Sequence, residues 1–484
     1  MTRVHTASRI RLSFISILAV ALTSPASTAT GQQPVTTTQT LTLLEAWAKA
    51  ESKSDQLALA AARSDQARGS ALETSSIRKP RLAAFSAYDR TLKSEFEGFG
   101  GFAADTTTSS DTESAEVPFG SAHTYRAGLT ASYMVFSGGR SLAQSRAAAS
   151  TRRAAEIGIV TTRAQVRLDV TEAYYDAMLA DRLHLIAAWT LEQAESTYRR
   201  ISLLSGAGRA PEFDVVRAKA ARDRQRPVVI KRAAERDIAL LRLRQLLHMP
   251  ASAELTLPAD IVATTPSVPG PQQTVDGVLR QSNVNRTAVR EAAELVSRGE
   301  QMLQASQAGR LPAVTLTSTY ERVAYPLKGT PSWNSSRANW TLGARVDFPV
   351  LTGGRQQGSD ASARAELDAA RARLRLTQQM AELDTQSSLA RLAAAEAALD
   401  ASQSAVDEAD RAYNIASLRY REGVSIQLEL SDSRLLLEQA RADQARAARD
   451  VSIERVRATL LTDLPLTSDA YAAGQTANAR ASAP

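Results

Sequence analysis

The chain is written twice. FSGGRSLAQS at 136–145 returns as LTGGRQQGSD at 351–360, and the Gly138–Gly139 and Gly353–Gly354 pairs stand 215 residues apart. The same offset lays YRRISLLSGAG at 198–208 over YNIASLRYREG at 413–423, so Gly208 and Gly423 correspond as well. Upstream, RLAAFSAYDR at 81–90 aligns with RLPAVTLTSTYER at 310–322 at an offset of 229, which leaves a longer insertion between 91 and 123 of the first copy. Register held over such a distance marks a duplicated unit, and a duplication constrains the fold before any single element is read.

Both copies run in one order. A helical segment (41–76; 272–307) leads to an alternating segment (81–90; 310–322), a polar or Gly-rich loop, and a second alternating segment (124–136; 338–350). Beyond each Gly-Gly comes a very long helix (141–205; 356–421), a tight turn and a returning helix (213–248; 426–462). The first repeat occupies 30–256, a Pro-rich linker 257–273, the second repeat 274–464, and a small, polar tail 465–484.

In ANWTLGARVDFPV at 338–350, Trp340, Leu342, Ala344, Val346 and Phe348 fall on one strand face and Thr341, Arg345 and Asp347 on the other. The 215-residue shift places Tyr125, Ala127, Leu129, Ala131 and Tyr133 on the matching face, with Arg126, Thr130 and Ser132 opposite. One apolar face with aromatics near its ends and one polar face is the pattern of a membrane barrel strand, though a half-buried strand of a soluble sandwich alternates in the same way. The helices narrow the choice. At 1.5 Å per residue the longer ones reach about 100 Å, far beyond a globular helix. Leu392, Leu399, Val406, Tyr413 and Tyr420 recur every seventh residue, a seam that keeps facing one partner as in a coiled coil. Four strands per chain are too few to close a barrel, so strands must be pooled between chains, and three copies would supply twelve.

Charged residues near the N-terminus (Arg3, Arg9, Arg11) precede the apolar LSFISILAVAL and the small residues of SPASTAT, the form of a secretory signal over 1–29 with cleavage after Ala26 or Ala29. There is no cysteine, so an exported chain must be held by packing or assembly. The 58 Lys and Arg against 51 Asp and Glu are interspersed along helix faces, which argues against a phosphate-tracking surface and a nucleic-acid partner.

These motifs resemble the TolC family of outer-membrane efflux channels over roughly 41–462. The most specific are the strand exits, FPVLTGGR at 348–355 and YMVFSGGR at 133–140, and the helical tips YRRISLLSGAGRAPEFDVVRA and SLRYREGVSIQLELSDSR. The resemblance implies an α+β membrane channel, internally duplicated: a homotrimer with a twelve-stranded β-barrel, four strands per protomer, in outer-membrane lipid, continued by a long periplasmic α-helical barrel of coiled-coil hairpins. It implies an exit duct of a tripartite efflux or type I secretion system, served by a periplasmic adaptor (membrane fusion) protein and an inner-membrane RND, ABC or MFS pump. It also implies a gate at the periplasmic helix tips. Asp214, six residues after Gly208, and Glu429 and Asp432, six and nine after Gly423, match the family's acidic positions, and Tyr420 its inter-helix tyrosine. Ser425 stands where the family's best-studied member has a basic residue. The plainer reading of the three acids is solvated first-turn residues favoured by the helix dipole. Arg126, Arg345 and Asp347 are the barrel-lumen candidates.

Enzyme chemistry finds no purchase. The four His residues are scattered without ligand spacing, no GxSxG is present, and neither Gly-Gly-Arg continues into a phosphate loop. No cofactor or metal is expected. The rival of another class is a soluble periplasmic coiled-coil adaptor or scaffold, which leaves the paired amphipathic strands and the two registered hairpins without a purpose.

Overall fold

The computed structural model describes residues 40–93, 123–258, 261, 285–326 and 336–466. The expected signal segment 1–29, most of the insertion 91–123, of the linker 257–273 and of the tail 465–484, and the start of the 272–307 helix lie outside the described residues.

The first copy opens with α1 (Leu43–Lys53) and α2 (Asp55–Ser76). Thr42 and Glu45 form a reciprocal capping box that starts α1. The single helix expected over 41–76 is interrupted, because Ser54 adopts an extended conformation (φ −67°, ψ 118°) and its hydroxyl accepts the Leu57 N–H. That exchange satisfies one orphan donor of α2 with a side chain. Strands β1 (Arg81–Arg90) and β2 (His123–Phe136) follow, then α3 (Arg140–Gly206) and α4 (Glu212–Leu246). The second copy supplies α5 (Thr287–Gln307), β3 (Ala313–Ala324), β4 (Arg337–Asp347), α6 (Arg355–Arg421) and α7 (Gln427–Leu460).

Two strand boundaries differ from the expectation by three residues, and proline accounts for both. Residues 308–310 close a 3₁₀ turn, so β3 begins behind Pro312 as β1 begins behind Pro80, three residues later than the 310–322 alignment places it. Strand β4 stops at Asp347 instead of running to 350, because Pro349 has no N–H to give the ladder. The returning helices end at Leu246 and Leu460, two residues short of the expected 248 and 462.

The four strands form one antiparallel sheet in the order β1-β2-β3-β4. Among the described residues no helix packs across either face of it, and every residue of β4 is exposed. The helices α3 and α6 each hold 67 residues, about 100 Å of helix. On α6, the positions Leu392, Ala395, Leu399, Ser402, Val406, Ala409, Tyr413, Ala416 and Tyr420 are buried or half-buried while most residues between them are exposed. This alternation of three- and four-residue steps is a coiled-coil seam, and it faces α7.

The densest core sits midway along α3. Val170, Ala173, Tyr174, Tyr175, Ala177 and Met178 pack there with Ala46 and Ala50 of α1, Leu243 at the end of α4, and Ala448 and Val456 of α7. The Tyr174 hydroxyl donates to the Leu41 carbonyl at 2.8 Å, and Trp47 Nε1 donates to Thr171 Oγ1 at 3.0 Å. A second tie joins the copy-two helices. Arg286, fully buried before α5, donates to the equally buried Asp384 and to the Ala381 carbonyl of α6.

Candidate conduction path and gate

Strand registers decide what each sheet face carries. Trp340, Leu342, Ala344 and Val346 of β4 lie opposite Tyr320, Ser318, Leu316 and Val314 of β3. Those in turn neighbour Leu129, Ala131 and Tyr133 of β2, which face Ala84 and Leu82 of β1. One face is therefore mostly apolar across the four strands, interrupted by Ser318 and, towards one end, by Ser86 and Arg322, with Tyr88, Tyr125 and Trp340 towards that end and Tyr133 and Phe136 towards the other. The opposite face carries Arg126, Thr130, Thr315, Thr319, Glu321, Asn339, Thr341, Arg345 and Asp347. Its polar groups bond one another: Arg126 Nη2 donates to Asp89, Arg345 Nε donates to Asp347 Oδ1 at 3.2 Å, and Asn339 donates to Glu321 at 3.2 Å. The three residues read from sequence as lumen candidates share this face. A mostly apolar face and a polar face, both uncovered among the described residues, suit a wall between lipid and water. Strands β1 and β4 form the two edges, and neither has a further strand beside it among the described residues.

At the strand exits the chain turns sharply into each long helix. Gly138, Gly139, Gly353 and Gly354 all have positive φ (62°, 87°, 54° and 85°), and Gly139 and Gly354 cap α3 and α6. The turns are the same turn: Arg140 N–H donates to the Ser137 carbonyl and Arg355 N–H to that of Thr352, each at 3.0 Å.

The distal tips repeat each other too. Gly208 and Gly423 are left-handed (φ 69° and 73°), and the following residues close the helix end, Arg209 N–H on the Leu204 carbonyl at 2.7 Å and Val424 N–H on that of Arg419 at 2.9 Å. The four residues expected at the gate do not form one cluster. Only Tyr420 and Asp214 lie within electrostatic reach of each other across the two hairpins: burial raises the Tyr420 phenol, the Asp214 carboxylate raises it further, and Arg200 opposes them. Tyr420 also lines a cleft of about 220 Å³ between the hairpins, with Gln193, Thr197, Arg200, Tyr413 and Ser417. Glu429 instead turns to its own hairpin, accepting from Arg419 Nη1 at 2.9 Å and from the Ser425 hydroxyl at 2.5 Å. Asp432 is exposed, with no hydrogen bond or ion pair among the described residues.

Sequence reading missed Arg419 and Arg200, and it read Ser425 only as a missing base. The signal for Arg419 was present, since a tight turn centred on Gly423 brings residues on either side of it level. Above the tips a further bridge was also unread. Arg441 of α7 lies 4.7 Å over the Trp189 ring, Trp189 meets Tyr413 edge to face at 5.7 Å, and the Tyr413 hydroxyl reaches Gln193 at 3.3 Å. No group of three or more His, Asp or Glu residues among the described ones could hold a metal ion, and no described helix is long and apolar enough to cross a membrane.

The model of the outer membrane efflux protein family matches residues 46–247 and again 278–482. The chain belongs to that family. The efflux protein is 26% identical over 407 residues to the pyoverdine export outer membrane protein OpmQ of Pseudomonas aeruginosa, covering 82% of this chain and 80% of that one. Its fold is similar to the MtrE outer membrane channel of Neisseria gonorrhoeae in its open state (TM-score 0.72, 20% identity, 88% of this chain and 89% of that one). It is also similar to the outer membrane protein VceC of Vibrio cholerae (TM-score 0.70, 21% identity, 87% and 96%). The efflux protein is thus an outer-membrane protein with a large periplasmic helical part, and family and fold are those of channels. The soluble adaptor or scaffold reading does not survive this assignment.

Proposed function

We propose that three copies of the chain pool their strands into a closed twelve-stranded barrel and their long helices into a tube, forming the exit duct of a tripartite efflux or type I secretion system. One observation carries the reading: among the described residues, a four-stranded sheet uncovered on both faces, mostly apolar on one and polar on the other, and open at both edges. An unpaired edge in lipid costs several kcal/mol for each unsatisfied group, so β1 of one copy must meet β4 of the next. An inner-membrane pump (RND, ABC or MFS) and a periplasmic adaptor load the duct, and transport through it is passive. Mass measurement in mild detergent tests the assembly, where a trimer is expected and a monomer or dimer overturns it.

The same reading places the gate at the helix tips, with Tyr420 and Asp214 within electrostatic reach of each other between the hairpins and Glu429 and Asp432 setting the charge of the mouth. Symmetry brings three copies of each carboxylate around one axis and favours cations there. Replacing Glu429 and Asp432 by Ala is expected to lower cation preference in planar bilayers. Unchanged single-channel selectivity would return both acids to the role of ordinary surface residues.

A further inference from the structure

Above the tips α4 packs chiefly on α3, α3 on α7 and α7 on α6, while side-chain bonds also cross from α4 to α7 and from α6 to α3, which leaves one outer side on α4 and another on α6. The side of α4 turned away from α3 is apolar: Val216, Ile230, Ile238 and Leu241 recur at helical spacing and are 59%, 71%, 65% and 45% exposed. Exposed bases flank that stripe, among them Lys219, Arg224 and Lys231. Lys219 and Arg224 meet no acid among the described residues, and Lys231 has only a 3.9 Å approach to Glu235 while its side chain is 75% exposed. The side of α6 turned away from α7 is built differently. It carries Ala393, Ala397 and Ser404 with Asp400, Asp407 and Glu408, all exposed, and none of the three acids meets a cation among the described residues.

Side-chain bonds give the relative heights. Gln225 of α4 donates to Glu438 of α7 at 3.3 Å, and Arg441 of α7 donates to Asp410 of α6 at 2.9 Å. Because α6 and α7 run in opposite directions, Glu438, and with it Gln225, lies at the level of Tyr413. Climbing about 9 Å from there along each helix reaches Lys231 on α4 and Asp407 on α6. Rotation about a common axis preserves these levels between copies. The handedness agrees as well: β4 runs directly into α6, while α2, which leads to β1, packs on α3 as α4 does.

We propose that α4 of one copy seats against α6 of the next through an ionic seam, with Lys231 set between Asp407 and Glu408 of the neighbouring copy. The branched side chains of α4 rest on the alanine stripe of α6, which is small enough to admit them. The proposal rests on the trimer proposed above and names the surface that closes the lower tube. Acids with no cation partner inside their own chain, and Lys231 with only its 3.9 Å approach to Glu235, then meet opposite charge across the seam, and reversed or shifted pairings are disfavoured.

The absence of cysteine makes the test clean. A Lys231→Cys, Glu408→Cys variant, assembled in detergent and treated with a short bis-maleimide, is expected to give covalent dimers and trimers on denaturing gels. Either single variant, or Lys231→Cys with Ala393→Cys about 20 Å up α6, should stay monomeric there. Lys231→Glu is expected to lower the trimer fraction about twofold, and adding Asp407→Lys and Glu408→Lys to restore it. A trimer by mass that yields no cross-link, with Lys231→Cys freely labelled by a bulky maleimide, overturns the seam and assigns this face of α4 to another partner. Failure of the trimer itself appears separately, as a monomer or dimer mass before any reagent is added.

Discussion

At the scale of single residues, two buried groups carry more than their size suggests. Arg286 and Asp384 are both shut off from water, and the guanidinium also serves the Ala381 carbonyl and Thr385. Removing one partner of such a pair strands the other charge in a low dielectric, a loss of about 3–5 kcal/mol. Asp384→Ala is therefore expected to lower the chemical-denaturation midpoint of the helical part far more than Asp368→Ala, an exposed control on the same helix, followed by circular dichroism. Tyr175 gives a pH signature. Burial pushes its phenol up to about 12, against a smaller downward pull from the Ser452 hydrogen bond, and burial raises Tyr174 as well. Below pH about 10, folded and unfolded chains both keep the proton and stability is level. From there towards 12 the unfolded chain ionises while the folded one resists, so stability falls with rising pH by about 1.4 kcal/mol per unit for each of the two tyrosines. An alkaline titration of helix content should show the loss, and Tyr175→Phe should shift it to higher pH. An unshifted Tyr175→Phe curve would remove this tyrosine from the account.

At the scale of elements, the four junction glycines look alike in sequence and differ in surroundings. A Cβ on Gly353 or Gly354 would meet nothing within 4 Å, whereas one on Gly138 would sit 2.6 Å from Leu311 Cβ and 2.9 Å from the Ala308 carbonyl. Each left-handed position costs an alanine about 1–2 kcal/mol, and only Gly138 adds a collision. Gly138→Ala is thus expected to depress the melting temperature more than its repeat equivalent Gly353→Ala. Equal shifts would mean that Leu311 yields freely. The contrast marks what sequence could carry. Turn chemistry and the spacing of 215 were written in the glycines, but the contact of Leu311 with Gly138 crosses from one copy to the other and leaves no local trace. The break at Ser54 is the opposite case. Its signal, a serine ahead of Asp55 at a helix start, lies in plain sight inside a segment that otherwise reads as one helix.

At the scale of the whole molecule, the sheet and the helices demand the same thing, a neighbour on each side. Alternation within a strand showed two unlike faces, but only the registers join Leu342, Ser318, Ala131 and Leu82 into one continuous surface. The surroundings of the residues expected at the tips were harder to read, because Glu429 is held by Arg419 and Ser425 through geometry that exists only once the hairpin closes. The face assignment can be tested by one charge placed on either side of the same strand. Leu342, 79% exposed, lies near the middle of the apolar face, and Thr341 beside it points to the polar one. If the apolar face meets hydrocarbon, an arginine at Leu342 costs about 2–4 kcal/mol per copy, while one at Thr341 stands in water. Refolded into lipid vesicles, Leu342→Arg is expected to lose most of its folded, heat-modifiable band and its resistance to urea. Thr341→Arg should fold at the normal yield and register as a change in ion selectivity, because its charge faces the lumen. Equal tolerance of the two substitutions would contradict the assignment of faces. A reversed order would turn the sheet inside out and move Arg126, Arg345 and Asp347 from the lumen to the lipid.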